Sequence, residues 1–176
     1  SEDGQIGQRP DRATLVYTNR IKQLFPGIPV VLGGLEASLR RITHYDFWSN
    51  KLRRSLLLDS RADILAYGMA DNAIVSIAHA LKNDDKLEGI PNTAYLSQDK
   101  PHGDHLEIPS HEALLEDKQL FLKTSLLHEQ EYAKKSPRQV VQSVQNKHII
   151  VEPPQSLSTK ELDALATLPF TREAHP

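Results

Sequence analysis

Two short apolar runs, each cut off by glycine, constrain the fold of this chain more than any other feature. Ile28-Pro29-Val30-Val31-Leu32 stops at Gly33-Gly34, and Ala62-Asp63-Ile64-Leu65-Ala66-Tyr67 stops at Gly68. Runs this short and this rich in apolar and β-branched side chains read as strands buried on both faces, the pattern of a parallel sheet covered by helices. Helical spacing surrounds them. Leu15, Ile21 and Leu24, with Val16 and Phe25, predict a helix capped by Asp11 and ended by Pro26-Gly27. Trp48, Leu52 and Leu56, four apart, predict a helix over 47–58 with Asp46 as its cap, and Ile74, Ile77, Ala78 and Leu81 predict another over 70–81. Thr93-Ala94-Tyr95-Leu96 reads as a weaker third strand. Strand, helix, strand, helix, strand is the signature of an α/β parallel sheet with right-handed crossovers, so residues 1–97 are expected to form half of a doubly wound domain. A sheet cut between strands would expose an apolar edge and favour aggregation.

The second half differs in pattern, and 98–152 is expected to be a connecting region of helix and short strands. A polar loop from Ser97 to His105 leads into a predicted long helix, His111 to Lys134, whose Leu114, Leu115, Phe121, Leu122, Leu126 and Leu127 form an apolar stripe for packing. Ser136-Pro137 ends it. Val140 to Val144 and His148 to Val151 predict two strands joined around Asn146-Lys147. Pro153-Pro154 opens a linker, 153–176, holding one short helix, Lys160 to Leu168, capped by Ser158 or Thr159 with Glu161 in its first turn. The tail from Thr171 to Pro176 is expected to run extended.

Composition narrows the chemistry. Among 176 residues there is no cysteine, which excludes disulfides and any thiolate-held zinc or iron–sulfur site within them. The net charge of −2 gives no overall basic field for nucleic acid. No apolar run approaches the roughly 20 residues of a membrane span, and no signal sequence opens the chain, so a cytoplasmic protein without a membrane partner is expected. Met69 is the only methionine, which fits an internal piece of a longer polypeptide.

Three places could carry chemistry. In open α/β sheets ligands sit beyond the carboxyl ends of the strands, which directs attention to Gly33, Gly34, Glu36 and Ser38. Two glycines let backbone N–H groups approach an anion, and Ser38, Arg40 and Arg41 could add donors; the competing reading is a tight turn that needs positive φ. Second, 40–61 collects Arg40, Arg41, Lys51, Arg53, Arg54 and Arg61 with His44, Tyr45, Phe47 and Trp48 between them. Such a stretch can receive a phosphate or stack on a base, or it is an amphipathic helix whose tryptophan is core and whose arginines are solvated. Third, His102, Asp104, His105, Glu107 and His111 have metal-ligand chemistry, but Pro101, Gly103 and Pro109 break any rigid frame, and a solvated loop is the better reading. No metal ligand and no catalytic residue is assigned within the chain.

Longer words of the sequence resemble a known family. Arg9-Pro-Asp-Arg-Ala-Thr-Leu-Val-Tyr-Thr-Asn19, Gly33-Gly-Leu-Glu-Ala-Ser-Leu-Arg-Arg41, His44-Tyr-Asp-Phe-Trp-Ser49, Leu52-Arg-Arg-Ser55 and Ala62-Asp-Ile-Leu-Ala-Tyr-Gly68 are similar to the N-terminal region of YgiQ-like radical S-adenosylmethionine (SAM) proteins. Val151-Glu-Pro-Pro154, Leu157-Ser-Thr-Lys-Glu-Leu-Asp163 and Leu168-Pro-Phe-Thr-Arg172 with His175-Pro176 resemble that family's lead-in to its cluster motif. The resemblance implies a partial Rossmann-like domain, laid out like the cobalamin-binding domains of other radical SAM enzymes. The cobalamin-ligating DxHxxG word is absent, so no cobalamin is implied. It implies a parent protein with a [4Fe–4S] cluster on a CxxxCxxC motif, reductive cleavage of SAM, and an undefined substrate. This segment would carry none of those cofactors. Its partner would be the catalytic domain of the same polypeptide, and Gly33, Gly34, Glu36, Ser38, Arg40, Arg41, His44, Tyr45, Arg53 and Arg54 would face that domain or its unknown substrate. The alternative is a non-catalytic module for an anionic partner such as nucleic acid.

Overall fold

The structure, a computed structural model, describes residues 10–169. The expected extended tail, 171–176, lies outside the described residues. In chain order the elements are α1 (Ala13–Leu24), β1 (Val31–Leu32), α2 (Gly34–Leu39), β2 (His44–Asp46), β3 (Lys51–Arg53), α3 (Leu56–Ser60), β4 (Ile64–Ala66), α4 (Asp71–Asn83), β5 (Thr93–Ser97), β6 (His105–Ile108), α5 (His111–Glu116), α6 (Lys118–Tyr132), β7 (Gln139–Val144), β8 (Lys147–Val151) and α7 (Thr159–Ala166).

Six strands form one sheet in the order β1-β4-β5-β8-β7-β6, and β2 and β3 form a separate hairpin. The fold is α/β, consistent with a partial Rossmann-like layer, but the sheet is mixed. The pairs β1·β4 and β6·β7 are parallel, whereas β5 runs antiparallel to both β4 and β8. The expected parallel direction of the third strand is therefore corrected. An apolar run says that a strand is buried and carries no information about its direction. The sheet also continues across residue 97, because β8, β7 and β6 extend it beyond β5.

Two-sided burial follows from the strand period. Along β7 and β8, Val140, Val144, Ile149 and Val151 face one core with Leu32, Ala37, Leu56, Leu57 and Leu65. Val141 and Ile150 face the other, with Ile64, Ala66, Tyr95 and Ile77 of α4. The β7–β8 hairpin is in the predicted place, in register from Val140↔Val151 to Val144↔Lys147. The last helix is also as predicted. Ser158 accepts from the Glu161 N–H while the Glu161 carboxylate accepts from the Ser158 N–H, a capping box.

Other elements depart from the sequence reading. Asp11 does not cap α1; Arg12 occupies the cap position and makes no side-chain cap bond. The helix expected over 47–58 is the β2–β3 hairpin followed by the one-turn helix α3, capped by Ser55. Asp46, expected as a cap, is 1% exposed and accepts from Arg12 Nη2 at 2.6 Å and from the Ser49 N–H at 3.2 Å. Asn50 follows at φ 53, a conformation that closes a tight turn and stops a helix. Trp48, expected in the core, is 54% exposed.

The long helix expected from His111 to Lys134 is broken. Asp117 takes an extended conformation and caps α6 by accepting from the N–H groups of Gln119 and Leu120 at 2.8 and 3.2 Å. Of the apolar stripe, Leu114 is fully buried, but Leu115, Leu122 and Leu126 stand exposed. The side of α6 turned inward carries Thr124, His128 and Glu131. Glu131 can be buried because Arg138 donates to it from Nε, Nη2 and the backbone N–H, and Lys134 donates from Nζ. The strand β6 falls partly within a stretch expected as polar loop.

Candidate functional site

The carboxyl ends of β1 and β4 lie side by side, as a parallel pair requires. Gly33 is extended and Gly34, at φ 82, makes the turn into α2 that a side chain would strain. Gly68 closes β4 at φ 66, and its N–H points at Ser38 Oγ, 3.4 Å away. Two of the donors expected here, Ser38 and Arg40, are already engaged. Ser38 Oγ donates to the Gly34 carbonyl at 2.9 Å. Glu36 accepts from Thr14 Oγ1 at 2.5 Å and Arg40 Nη1 at 3.0 Å, tying α1 to α2.

Within the basic stretch Arg40, Arg53 and Arg54 are likewise paired. Arg53 Nη2 and Arg54 Nε donate to the two oxygens of Asp59 at 2.8 and 2.6 Å, and Arg40 also lies 3.9 Å from Asp46. Burial alone would raise the Asp59 carboxyl, but the hydrogen bonds from both arginines outweigh it and hold the pKa below the usual value. Asp46 behaves the same way, with burial outweighed by Ser49 and Arg12. Tyr45 donates to Asn50 Oδ1 at 2.7 Å. His44 Nδ1 lies 3.2 Å from the Ile42 carbonyl, which only accepts, so Nδ1 carries the proton; burial pushes the His44 pKa down.

Arg41 stands apart from its neighbours. No carboxylate among the described residues pairs with it. Its guanidinium carbon lies 4.6 Å from the centroid of the Tyr67 ring and 5.5 Å from that of Tyr132. Nη1 donates to the Ser38 carbonyl, Nη2 sits 3.5 Å from His128 Nε2, and Nε is buried without a partner. Burial, reinforced by the Arg41 charge, pushes the His128 pKa down to about 4. His128 is therefore neutral at neutral pH. Tyr132, 4.5 Å away edge-on, has its hydroxyl pKa raised by burial. Arg41, His128 and Tyr132 line a cavity of about 730 Å³ walled by Leu39, Ile42 and Phe121, with His44, Tyr45 and Glu129 also lining it.

The structure thus gathers Arg41, His44 and Tyr45 at one cavity, places Glu36 and Arg40 in a neighbouring depression, and leaves Arg53 and Arg54 on Asp59. Sequence reasoning missed Tyr67, His128 and Tyr132. The one available signal was the polar stripe Thr124, His128, Glu131, spaced four and three apart on a helix face. The histidine-rich segment is drawn to other partners. His105 Nδ1 faces the Gly103 carbonyl at 3.0 Å, Glu107 accepts from Lys100, Asp104 accepts from Arg138, and His111 Nδ1 lies 3.0 Å from Thr43 Oγ1. No three candidate metal ligands converge among the described residues. No helix among them is long and apolar enough to cross a membrane.

Comparison with known proteins gives the family. The model of the radical SAM N-terminal family matches residues 1–176. A UPF0313 protein of Thermotoga petrophila is 43% identical over 177 residues, covering 98% of this chain and 31% of that protein. Another from Methanocaldococcus jannaschii is 40% identical over 179 residues, 97% of this chain and 29% of the relative. A third, from Clostridium botulinum strain 657, is 40% identical over 181 residues, 100% of this chain and 28% of the relative. The chain spans about three-tenths of the length of these relatives. No solved structure matches. The ordered words of the sequence, their YgiQ-like character and the match along all 176 residues agree: the chain belongs to the radical SAM N-terminal family.

Proposed function

We propose that this chain is the N-terminal accessory part of a radical SAM iron–sulfur enzyme, supporting a cluster-bearing region supplied elsewhere in the same polypeptide. The observation that carries the reading is the family match over the whole chain, joined to its covering only about three-tenths of its relatives. With no cysteine, these residues offer no thiolate to an iron–sulfur cluster, so the ligands belong to the remaining sequence. There the cluster would deliver the electron that cleaves SAM.

The surface supports a structural partnership with that remainder. Leu35 and Leu39 line one depression, Leu39, Tyr45 and Phe121 line the next, and Tyr45, Leu115 and Phe121 line a third. Shared residues make the three continuous. Leu35, Leu39 and Phe47 are 76%, 66% and 65% exposed, more apolar side chain than a free surface ordinarily gathers in one place. We assign this row to contact with the catalytic part of the polypeptide. Arg53 and Arg54 share the single carboxylate of Asp59, which cancels one of their two charges.

The test is anaerobic reconstitution of the full-length polypeptide with iron and sulfide. The expected result is about four irons per chain with cluster absorption, and 5′-deoxyadenosine released from SAM under reduction. Finding neither cluster nor SAM cleavage would overturn the proposal.

A further inference from the structure

Arg41 is the one arginine that lines the cavity, and unlike Arg40, Arg53 and Arg54 it has no carboxylate partner among the described residues. Arg40 has Glu36, and Arg53 and Arg54 have Asp59. A guanidinium has five N–H donors. In Arg41 one Nη1 donor goes to the Ser38 carbonyl, one Nη2 donor faces His128 Nε2, and the Tyr132 hydroxyl is in reach of a third, so one η N–H is left without an acceptor among the described residues. The rings of Tyr67 and Tyr132 pack against the group at 4.6 and 5.5 Å from their centroids. Because Nε2 of His128 faces a donor, the neutral ring carries its proton on Nδ1 and adds no charge. Burial and the arginine beside it keep the ring in that form above about pH 4.

A partly buried cation with an unused η donor and no counter-ion is a receptor for an anion. The charge count selects which anion. Among the lining residues Arg41 is the one permanent cation, no lysine joins it, and Glu129 lines the same cavity. One positive charge with one carboxylate on the same lining suits a monoanion and disfavours a doubly charged phosphate. Leu39, Ile42 and Phe121 supply apolar wall, and about 730 Å³ is the size of ordinary small-molecule sites.

We propose that this cavity binds a small organic molecule through a carboxylate seated on the Arg41 guanidinium, with the ligand's apolar body against Leu39, Ile42 and Phe121. The site is complete within the described residues and makes no use of a cluster, so its failure and that of the radical SAM reading are separately visible. Its position in the apolar row places the ligand at the contact with the rest of the polypeptide, where such sites commonly occur.

The test is calorimetric titration of the purified protein with benzoate, the neutral isostere benzamide and inorganic phosphate, beside NMR observation of the Arg41 Nε–H signal. Saturable benzoate binding with Kd below about 10 mM, no benzamide binding, and about tenfold or greater weakening in a folded Arg41→Gln variant are expected. Arg41→Lys should keep part of the affinity. Equal binding of benzamide, tighter binding of phosphate than of benzoate, no binding of benzoate, or unchanged affinity in Arg41→Gln would overturn it. Should Arg41→Gln not fold, the wild-type signal decides. A shift with benzoate and not with benzamide supports the site, and an unmoved signal refutes it.

Discussion

An acid six residues away separates Arg53 from Arg41. Asp59 holds two arginines, so Asp59→Asn should destabilise the protein by about 1–2 kcal/mol in urea denaturation, the size of lost charge-assisted bonds discounted for partly exposed arginines. A cost near zero would show both arginines solvated. His128 gives a pH dependence. Its folded pKa of about 4 lies below the ordinary histidine value of 6.5, so the unfolded chain binds more protons between those values and stability falls as pH drops through them. His44 and His111, both lowered by burial, act in the same direction. Asp59, also depressed, loses its contribution only as pH falls through its folded value, at the acid end beyond the histidine window. Between about pH 7.5 and about pH 5 the His128 share is on the order of 2 kcal/mol, and it should vanish in a folded His128→Gln variant. Denaturation at both pH values measures it; an unchanged pH dependence in the variant would place the charge elsewhere. Arg41 was identifiable from its neighbours in sequence. His128 was not, because the pair meets across 87 positions through the packing of α6.

Elements with a local cause were legible. The Ser158–Glu161 capping box and the β7–β8 hairpin are written in adjacent residues and form where expected. Elements decided by competition were not. Trp48, Leu52 and Leu56 have helical spacing, yet the Asp46–Ser49 bonds and Asn50 at positive φ close a turn between them. The hairpin leaves the single tryptophan in solvent against Phe47, ring centroids 4.7 Å apart. Trp48 fluorescence of this chain should therefore be red-shifted and readily quenched by acrylamide, and Trp48→Ala should change stability by less than about 0.5 kcal/mol. A blue-shifted, shielded emission would restore the buried helix. By contrast Leu57, fully buried on α3 between α1 and the sheet, should cost about 2–5 kcal/mol as Leu57→Ala. The leucine stripe of α5 and α6 misled for another reason: helical period marks which residues share a face, and a polar face can still be the buried one when Arg138 satisfies Glu131.

At the scale of the molecule, the six-stranded sheet buries apolar residues on both faces while a row of apolar side chains from α2, the β2–β3 hairpin, α5 and α6 lies uncovered. The α/β class was legible from glycine-ended strands; the mixed direction of the sheet was not, because β5 gains its partner β8 from more than fifty residues downstream. At the edges stand β1, two residues long, and β6, so the uncovered side chains of Leu35, Leu39 and Leu122 are the larger liability for self-association. The chain spans about three-tenths of the length of the relatives it matches. The central claim is that the rest of the polypeptide lies on the uncovered row. Hydrogen–deuterium exchange of this chain alone and within the full-length polypeptide measures that directly. Slower exchange in the full-length protein over residues 34–53 and 115–126, with the β7–β8 hairpin unchanged, is the predicted result. Identical exchange over those residues would contradict the account.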